Sequence, residues 1–302
     1  MRLFGRKREP ERPPPTVAPG LRRWMERNAP PEPPANVQGL LEELGLPART
    51  SETGSVLDAE GTEVSVSAPE GAGCLHVVGL GPRGAGELGA GRLLGPITAN
   101  AGSLGGHLAL RGLGGEERLV ALAKPPVHGI EAGAMALSVE EVLRLGRGLP
   151  AGGEGEATEQ RLRALRTGRR PGEEDVRARV ESCLDELGLA WGPLAGDGTA
   201  GWEVTLDPGP AELWLRGHGE ALALTLVAVE MEMIEADEEL LSFINEESDL
   251  AGAWYAQGER DGVRWLELTT TIATTALAPA ALAHALLELT TGFLQLFERL
   301  AR

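Results

Sequence analysis

The chain has 302 residues, room for about two domains of ordinary size. Lysine and arginine number 28 against 45 aspartate and glutamate, and the net charge of −17 excludes the cation-rich surface that a nucleic-acid binder turns toward phosphate. A content of 42% hydrophobic but only 4% aromatic residues promises aliphatic cores, and no apolar run approaches the ~18–20 residues of a membrane span, so a soluble protein without a spanning segment is expected.

Residues 1–34 hold 9 of the 21 prolines and 8 basic against 4 acidic residues, the composition of an extended, disordered tail. Within it Leu21, Trp24 and Met25 share helical spacing among Arg22, Arg23 and Arg27. A one-turn docking helix for a membrane surface or an acidic groove is one reading, and a solvated basic tail is the other.

Beyond the tail the chain repeats itself, at offsets between 140 and 149 residues. "LEELGLP" from Leu41 matches "LDELGLA" from Leu184, and "LDAEGTEVSV" from Leu57 matches "LDPGPAELWL" from Leu206. Leu75 and Leu94 match Leu222 and Leu241, Arg118-Leu119-Val120 matches Arg264-Trp265-Leu266, and Leu137 matches Leu277. Such order-preserving self-similarity marks a duplicated structural unit.

Each copy predicts a helix at about 36–45 and 174–187, ended by Gly45 and Gly188. Three strands follow, the middle one alternating apolar and polar residues (Val64, Val66; Leu213, Leu215). A second helix (about 87–100; 235–247), a hairpin (105–111 with 118–122; 251–257 with 263–268) and a final helix (137–147; 277–300) complete the unit. The expected fold is α+β: two tandem helix-strand-strand-strand-helix-strand-strand-helix units, each an antiparallel sheet with helices packed on one face. The units span 35–148 and 174–302, and 149–173 forms a connector with a short helix at 158–166.

Little in the chain reads as catalytic chemistry. Lys7 and Lys124, the only lysines, do not sit in a phosphate-cradling loop, and Glu259 stands where a Tyr-x-x-x-Lys pair on Tyr255 would need lysine. Cys74 and Cys183 are far apart and the five histidines are scattered, so no disulfide framework, metal site or cofactor is expected. With no secretory leader in the sequence, a cytoplasmic location is the expectation. Gly102-Ser103-Leu104-Gly105 lacks the glycine a nucleophile elbow needs at Ala101. Gly79-x-Gly81-x-x-Gly84 has the spacing of a dinucleotide loop, but no acid lies near 99–103 and the second copy has no glycine there. It reads as a permissive connection. Ser103, His107 and His128, in loops of the first copy, are the candidates if the protein is an enzyme of unrecognised type.

The stretch "LLSFINEESDLAGAWYAQGERDGVRWLELTTTI" from Leu240 to Ile272, in this element order, resembles the YbjN-like branch of the type III secretion chaperone-like superfamily. The features that carry the likeness are Leu241 to Asn245 closing the second helix, Gly252 to Tyr255 opening a strand, Asp261-Gly262 at the hairpin turn and the apolar last helix. In the first copy Thr98 stands in place of Asn245. The resemblance implies a bacterial-type, non-enzymatic module with a chaperone-like or regulatory role that pairs and holds extended partner segments, with the tandem copies acting as an intrachain pseudo-dimer or as part of a homo-oligomer. A purely structural scaffold is the remaining alternative.

Nine carboxylates fall within residues 230–249. Asp237, Glu238 and Glu239 suit a helix start, where the macrodipole favours negative charge, but Glu246, Glu247 and Asp249 lie at the disfavoured end. Glu238, Glu239, Glu246, Glu247 and Asp249, with Trp254 at the following strand, are therefore the expected partner-binding residues, attracting a basic segment or the chain's own tail beside an apolar groove. Met231 and Met233 carry strand spacing and read as core filling. The last helix offers a stripe of Leu282, Leu286, Leu289, Phe293, Leu296, Phe297 and Leu300, whose far end is expected to reach the other copy or another subunit.

Overall fold

The computed structural model describes residues 19–28, 36–51, 54–59, 62–68, 74–80, 94–101, 103–113, 116–125, 130–147, 160–164, 171–194, 201–206, 209–216, 219–234, 237–246 and 252–301. The elements are, in order, α1 (Pro19–Arg27), α2 (Val37–Glu43), β1 (Ala48–Ser51), β2 (Gly54–Ala59), β3 (Thr62–Ser67), β4 (His76–Leu80), α3 (Leu94–Ala99), β5 (His107–Leu113), β6 (Glu116–Ala123) and α4 (Ala132–Arg147). A short helix α5 at 160–164 follows. The second unit then runs through α6 (Glu173–Glu186), β7 (Trp191–Pro193), β8 (Gly201–Val204), β9 (Ala211–Arg216), β10 (Ala221–Glu230), α7 (Glu238–Asn245), β11 (Trp254–Arg260), β12 (Val263–Ala273) and α8 (Pro279–Leu300).

Two six-stranded antiparallel sheets result, ordered β1-β2-β3-β4-β6-β5 and β7-β8-β9-β10-β12-β11. The two orders are the same topology, so the α+β fold of two tandem units holds. Each unit has four strands before its second helix, where three were expected. The additional ones, β1 and β7, are edge strands of four and three residues with little burial. An edge strand wet on both faces carries no apolar alternation to read.

The first helix of each unit ends identically. Gly45 and Gly188 have φ of 63° and 65°, a left-handed turn that glycine adopts without a Cβ penalty. The next residues, Leu46 and Leu189, donate their N–H back to Leu41 and Leu184, which satisfies otherwise orphaned carbonyls. On the core face of the first sheet Val64, Val66, Ala121 and Ala123 meet Met135, Val139 and Val142 of α4. Gly79 belongs to this packing: a Cβ there would lie 2.7 Å from Val142 Cγ1. Helix–strand contact thus accounts for that glycine; Gly81 and Gly84 lie outside the described residues. The second core joins Leu213, Leu222, Leu268 and Ile272 to Leu282, Leu286 and Leu289 of α8.

Several boundaries differ from expectation. Within the tail, 19–27 is a helix whose Leu21 is buried in the second core, with Trp24 and Met25 packed beside it and α1 lying against α8. Burying one such leucine contributes roughly 1.5–3 kcal/mol, which overcomes the proline-rich surroundings. Residues 1–18 and 29–35 lie outside the described residues. In the connector, Leu162 of α5 enters the first core and Arg163 bonds Glu140 at 3.0 Å. Met231–Met233 is a 3₁₀ turn and not a strand: Met231 is fully buried, while Met233 is 70% exposed.

Helix α8 also corrects the expectation that no segment has the length and apolarity of a membrane span. It is 22 residues long with a window of mean hydropathy 1.3, enough to cross a bilayer by length and composition. Here it is a core helix, packed on β12, β10, α6 and α1. Phe293 and Leu296 stay in the core of the same unit and not against the other copy, with Arg299 over the Phe243 ring, while Phe297 and Leu300 are exposed.

The units meet reciprocally. Helix α3 lies on β11 and α7 on β5, and Leu110 forms a parallel bridge with Glu246. Ile97 of α3 enters the second core. Asn100 donates to the carbonyls of Leu108 and Tyr255, both at 3.2 Å, and accepts from Leu108 N–H at 2.6 Å. This buried amide, and not exposed Thr98, is the counterpart of buried Asn245, since each stands just before its hairpin at the seam.

Candidate functional site: a polar groove on the second sheet

The second sheet turns one face to α8, and its other face carries a groove of about 540 Å³. Strand alternation builds it. Along β9 the buried residues Ala211, Leu213 and Leu215 point to the core, which leaves Glu212, Trp214 and Arg216 on the groove side. Thr225 of β10, Glu267 and Thr269 of β12, and Ala256, Gly258 and Arg260 of β11 extend the floor, and Asn100 and Ala101 of the first unit close one wall.

One arginine organises the floor. Arg260 donates through Nη1 to Glu212 Oε1, and through Nε and Nη2 to Glu267 Oε1 at 3.2 and 3.1 Å. Burial disfavours the Arg260 cation, but the hydrogen bonds and charges of Glu212 and Glu267 outweigh it and hold its pKa above the ordinary value. Glu212 Oε2 accepts from Trp214 Nε1 at 3.2 Å. Thr269 spends its hydroxyl proton on the Leu224 carbonyl at 3.1 Å, so across the 3.3 Å contact Thr225 is the donor.

Two glycines provide the space. A Cβ on Gly201 would stand 2.7 Å from the Trp214 ring, and one on Gly258 would stand 2.2 Å from the Glu267 carboxyl carbon. Any larger residue would displace the indole or the carboxylate.

Arg216 differs from Arg260. Its backbone carbonyl accepts from Gly219 and Glu220, but among the described residues its side chain makes no hydrogen bond or close ion pair. Burial lowers its pKa, and the charge of Glu267 acts in the opposite direction.

The expected partner-binding residues do not line this groove. Trp254 is buried at the seam, its ring stacked on His107 with centroids 5.2 Å apart and planes 8° from parallel. Strand β11 turns it toward the first unit, so it is not open to a partner. Glu238 and Glu239 are exposed at the start of α7, where Asp237 caps the helix by accepting from Leu240 N–H at 2.9 Å. Glu239 is 3.9 Å from Arg299. Glu246 is exposed beside the seam bridge, and Glu247 and Asp249 lie outside the described residues. The groove on the second sheet is polar, and a small apolar pocket lined by Pro125, Ala134, Leu137, Trp254 and Ala276 lies at the seam.

The enzyme candidates are also structurally engaged. Ser103 donates to Glu141 Oε2 at 2.8 Å and accepts from Gly106 N–H at 3.3 Å. Burial pushes the Glu141 pKa up, but the bond and charge of Arg144, then Ser103 and the Leu104 N–H, bring it below the usual carboxylate value. His107 is pushed down to about 3 by burial and then by Lys124. Among the described residues its Nδ1 has no hydrogen-bond partner, and His128 lies outside them. Among the described residues no three His, Cys, Asp or Glu side chains gather as metal ligands do.

The site residues were not singled out from sequence, because Glu212, Trp214 and Arg216 alternate with core residues as any solvent-facing strand does. The usable signal was a tryptophan between two opposite charges on one strand face, with Gly201 opposite it in the ladder.

Comparison with known proteins finds no matching family model, no matching curated protein and no matching solved structure. The fold and the groove therefore define the class: a tandem α+β protein with one preformed polar recess.

Proposed function

We propose that the protein is a non-enzymatic binding protein which holds a segment of a partner polypeptide in the groove of the second sheet, in a chaperone-like or regulatory role in the cytoplasm. The observation that carries this reading is the groove itself: its volume lies within the range of roughly 300–1,000 Å³ usual for ligand sites, and its charged floor is already fixed by Arg260. Fixed donors and acceptors cost little ordering entropy on binding. The resemblance of Leu240–Ile272 to YbjN-like proteins supports the same class of role. Recognition rests on hydrogen bonds and the Trp214 face, and the acidic surface steers basic residues of the segment from outside.

The test uses the full chain against an array of random 12-residue peptides. Ala101 lines the groove from the first unit and is exposed, so Ala101→Trp fills its mouth without entering the core. Peptides that bind the native chain are expected to lose at least tenfold in affinity with the variant. Equal binding to both, or none to the native chain, overturns the reading.

A further inference from the structure

We propose that the groove recognises a carboxylate, and that Arg216 is the residue that takes it. On the reading above the carboxylate belongs to the bound polypeptide, as its chain terminus or as an Asp or Glu side chain.

Hydrogen-bond accounting leads there. Arg260 places three of its five N–H donors on Glu212 and Glu267, and Trp214 spends its only one on Glu212. Asn100 satisfies its amide on Leu108 and Tyr255. The large donor capacity left in the groove is the Arg216 fork, half-buried beside an organised floor. A ligand that completes this site supplies acceptor oxygens.

Geometry and charge select the acceptor. Guanidinium presents parallel N–H groups that match the two oxygens of a carboxylate. Arg216 and Arg260 balance Glu212 and Glu267, so a monoanion leaves the floor with one excess negative charge and a phosphate dianion leaves two. Exposed Glu259 at the rim adds to the second penalty. Trp214 stands two residues before Arg216 on the same strand face, so an apolar or aromatic group next to the carboxylate finds a ring to lie against.

The experiment follows the Arg216 Nε–Hε resonance of the full chain during titration with acetate, benzoate and inorganic phosphate, at ionic strength held constant with chloride. Benzoate is expected to shift it most and acetate next, with phosphate no stronger than chloride. Arg216→Gln should weaken benzoate at least tenfold, and Arg216→Lys should keep part of the binding. In a second arm, peptides selected on the array are compared as free acids, as C-terminal amides and with Asp or Glu changed to Asn or Gln. Loss on amidation assigns the carboxylate to a chain terminus, and loss on side-chain exchange assigns it to Asp or Glu. Benzoate binding without any peptide binding retains the carboxylate site, assigns it to small acids and ends the polypeptide reading. Peptides that bind equally well as amides, with neutralised side chains and to Arg216→Gln, overturn the inference and leave the groove reading intact. A phosphate response equal to that of acetate also overturns it.

Discussion

On the first sheet, the face turned away from α4 carries Val78, Ala109, Val120 and Leu122, buried together in an apolar cluster. On the second sheet the matching ladder positions are Ala223, Trp254, Thr269 and Thr271. Val78 pairs with Leu122 as Ala223 pairs with Thr271, and Ala109 pairs with Val120 as Trp254 pairs with Thr269. The core-side residues one step along show no such divergence at most positions: Leu119 and Ala123 correspond to Leu268 and Ile272, all buried. Duplication kept what each helix layer needs and released the opposite face. At these four ladder positions the first copy is aliphatic throughout, whereas the second carries a tryptophan and two threonines, and the charged groove opens farther along the second sheet.

The largest effect is expected from exchanging the two chemistries. Leu122→Thr places a hydroxyl and a void in the closed face and should cost about 2–4 kcal/mol in urea unfolding. The paired change Thr225→Val with Thr269→Val removes both partners of their mutual hydrogen bond, together with the Thr269 bond to the Leu224 carbonyl, and should cost no more than about 1.5 kcal/mol. Equal costs for the two experiments would break the contrast between the faces.

A smaller effect sharpens the contrast at the seam, where His107 of one outward face stacks on Trp254 of the other. The folded-state pKa of His107, about 3, lies below its ordinary 6.5. The unfolded chain therefore binds more protons between those values, and stability falls as pH falls through that window, by roughly 1.4 kcal/mol per pH unit. His107→Phe keeps a stacked ring and should flatten this part of the pH profile of the unfolding midpoint. The smallest effect is expected at Glu239, 90% exposed and 3.9 Å from Arg299. Glu239→Gln should leave both the melting temperature and peptide affinity unchanged, because a single exposed ion pair contributes little.

The legible parts of the fold were those where burial imposes a period. The matched helices with their glycine stops, the inward rows Val64-Val66 and Leu213-Leu215, and the apolar stripe of α8 all follow from one face meeting a core. The hairpin correspondence was harder. Matching Arg118-Leu119-Val120 to Arg264-Trp265-Leu266 is three residues out of ladder register and sends Leu119 to the wrong face. Strands β10 and β12 are ten and eleven residues long and carry a bulge between Val227 and Val229, so local similarity slides along them. The candidate site was less legible still. A carboxylate on a strand face looks the same whether it meets water or a guanidinium three strands away, and Arg260 reads as a turn residue although it pairs with Val263 in the ladder. Trp254 misled in the opposite direction, since an aromatic at a strand start gives no sign that a second unit will cover it.

The second core also has a consequence for how the chain is made. Leu21 and Ile97 sit among residues that run from Val176 to Leu296. At translation rates of about 5–20 residues per second, Ile97 leaves the ribosome roughly 10–40 s before the last part of its surroundings exists. During that interval the nascent first half shows water an isoleucine and a leucine whose permanent neighbours have not been synthesised. The first core, built from Val37 to Leu162, can close by itself, but helices α1 and α3 gain their packing partners only once the carboxyl-terminal unit exists.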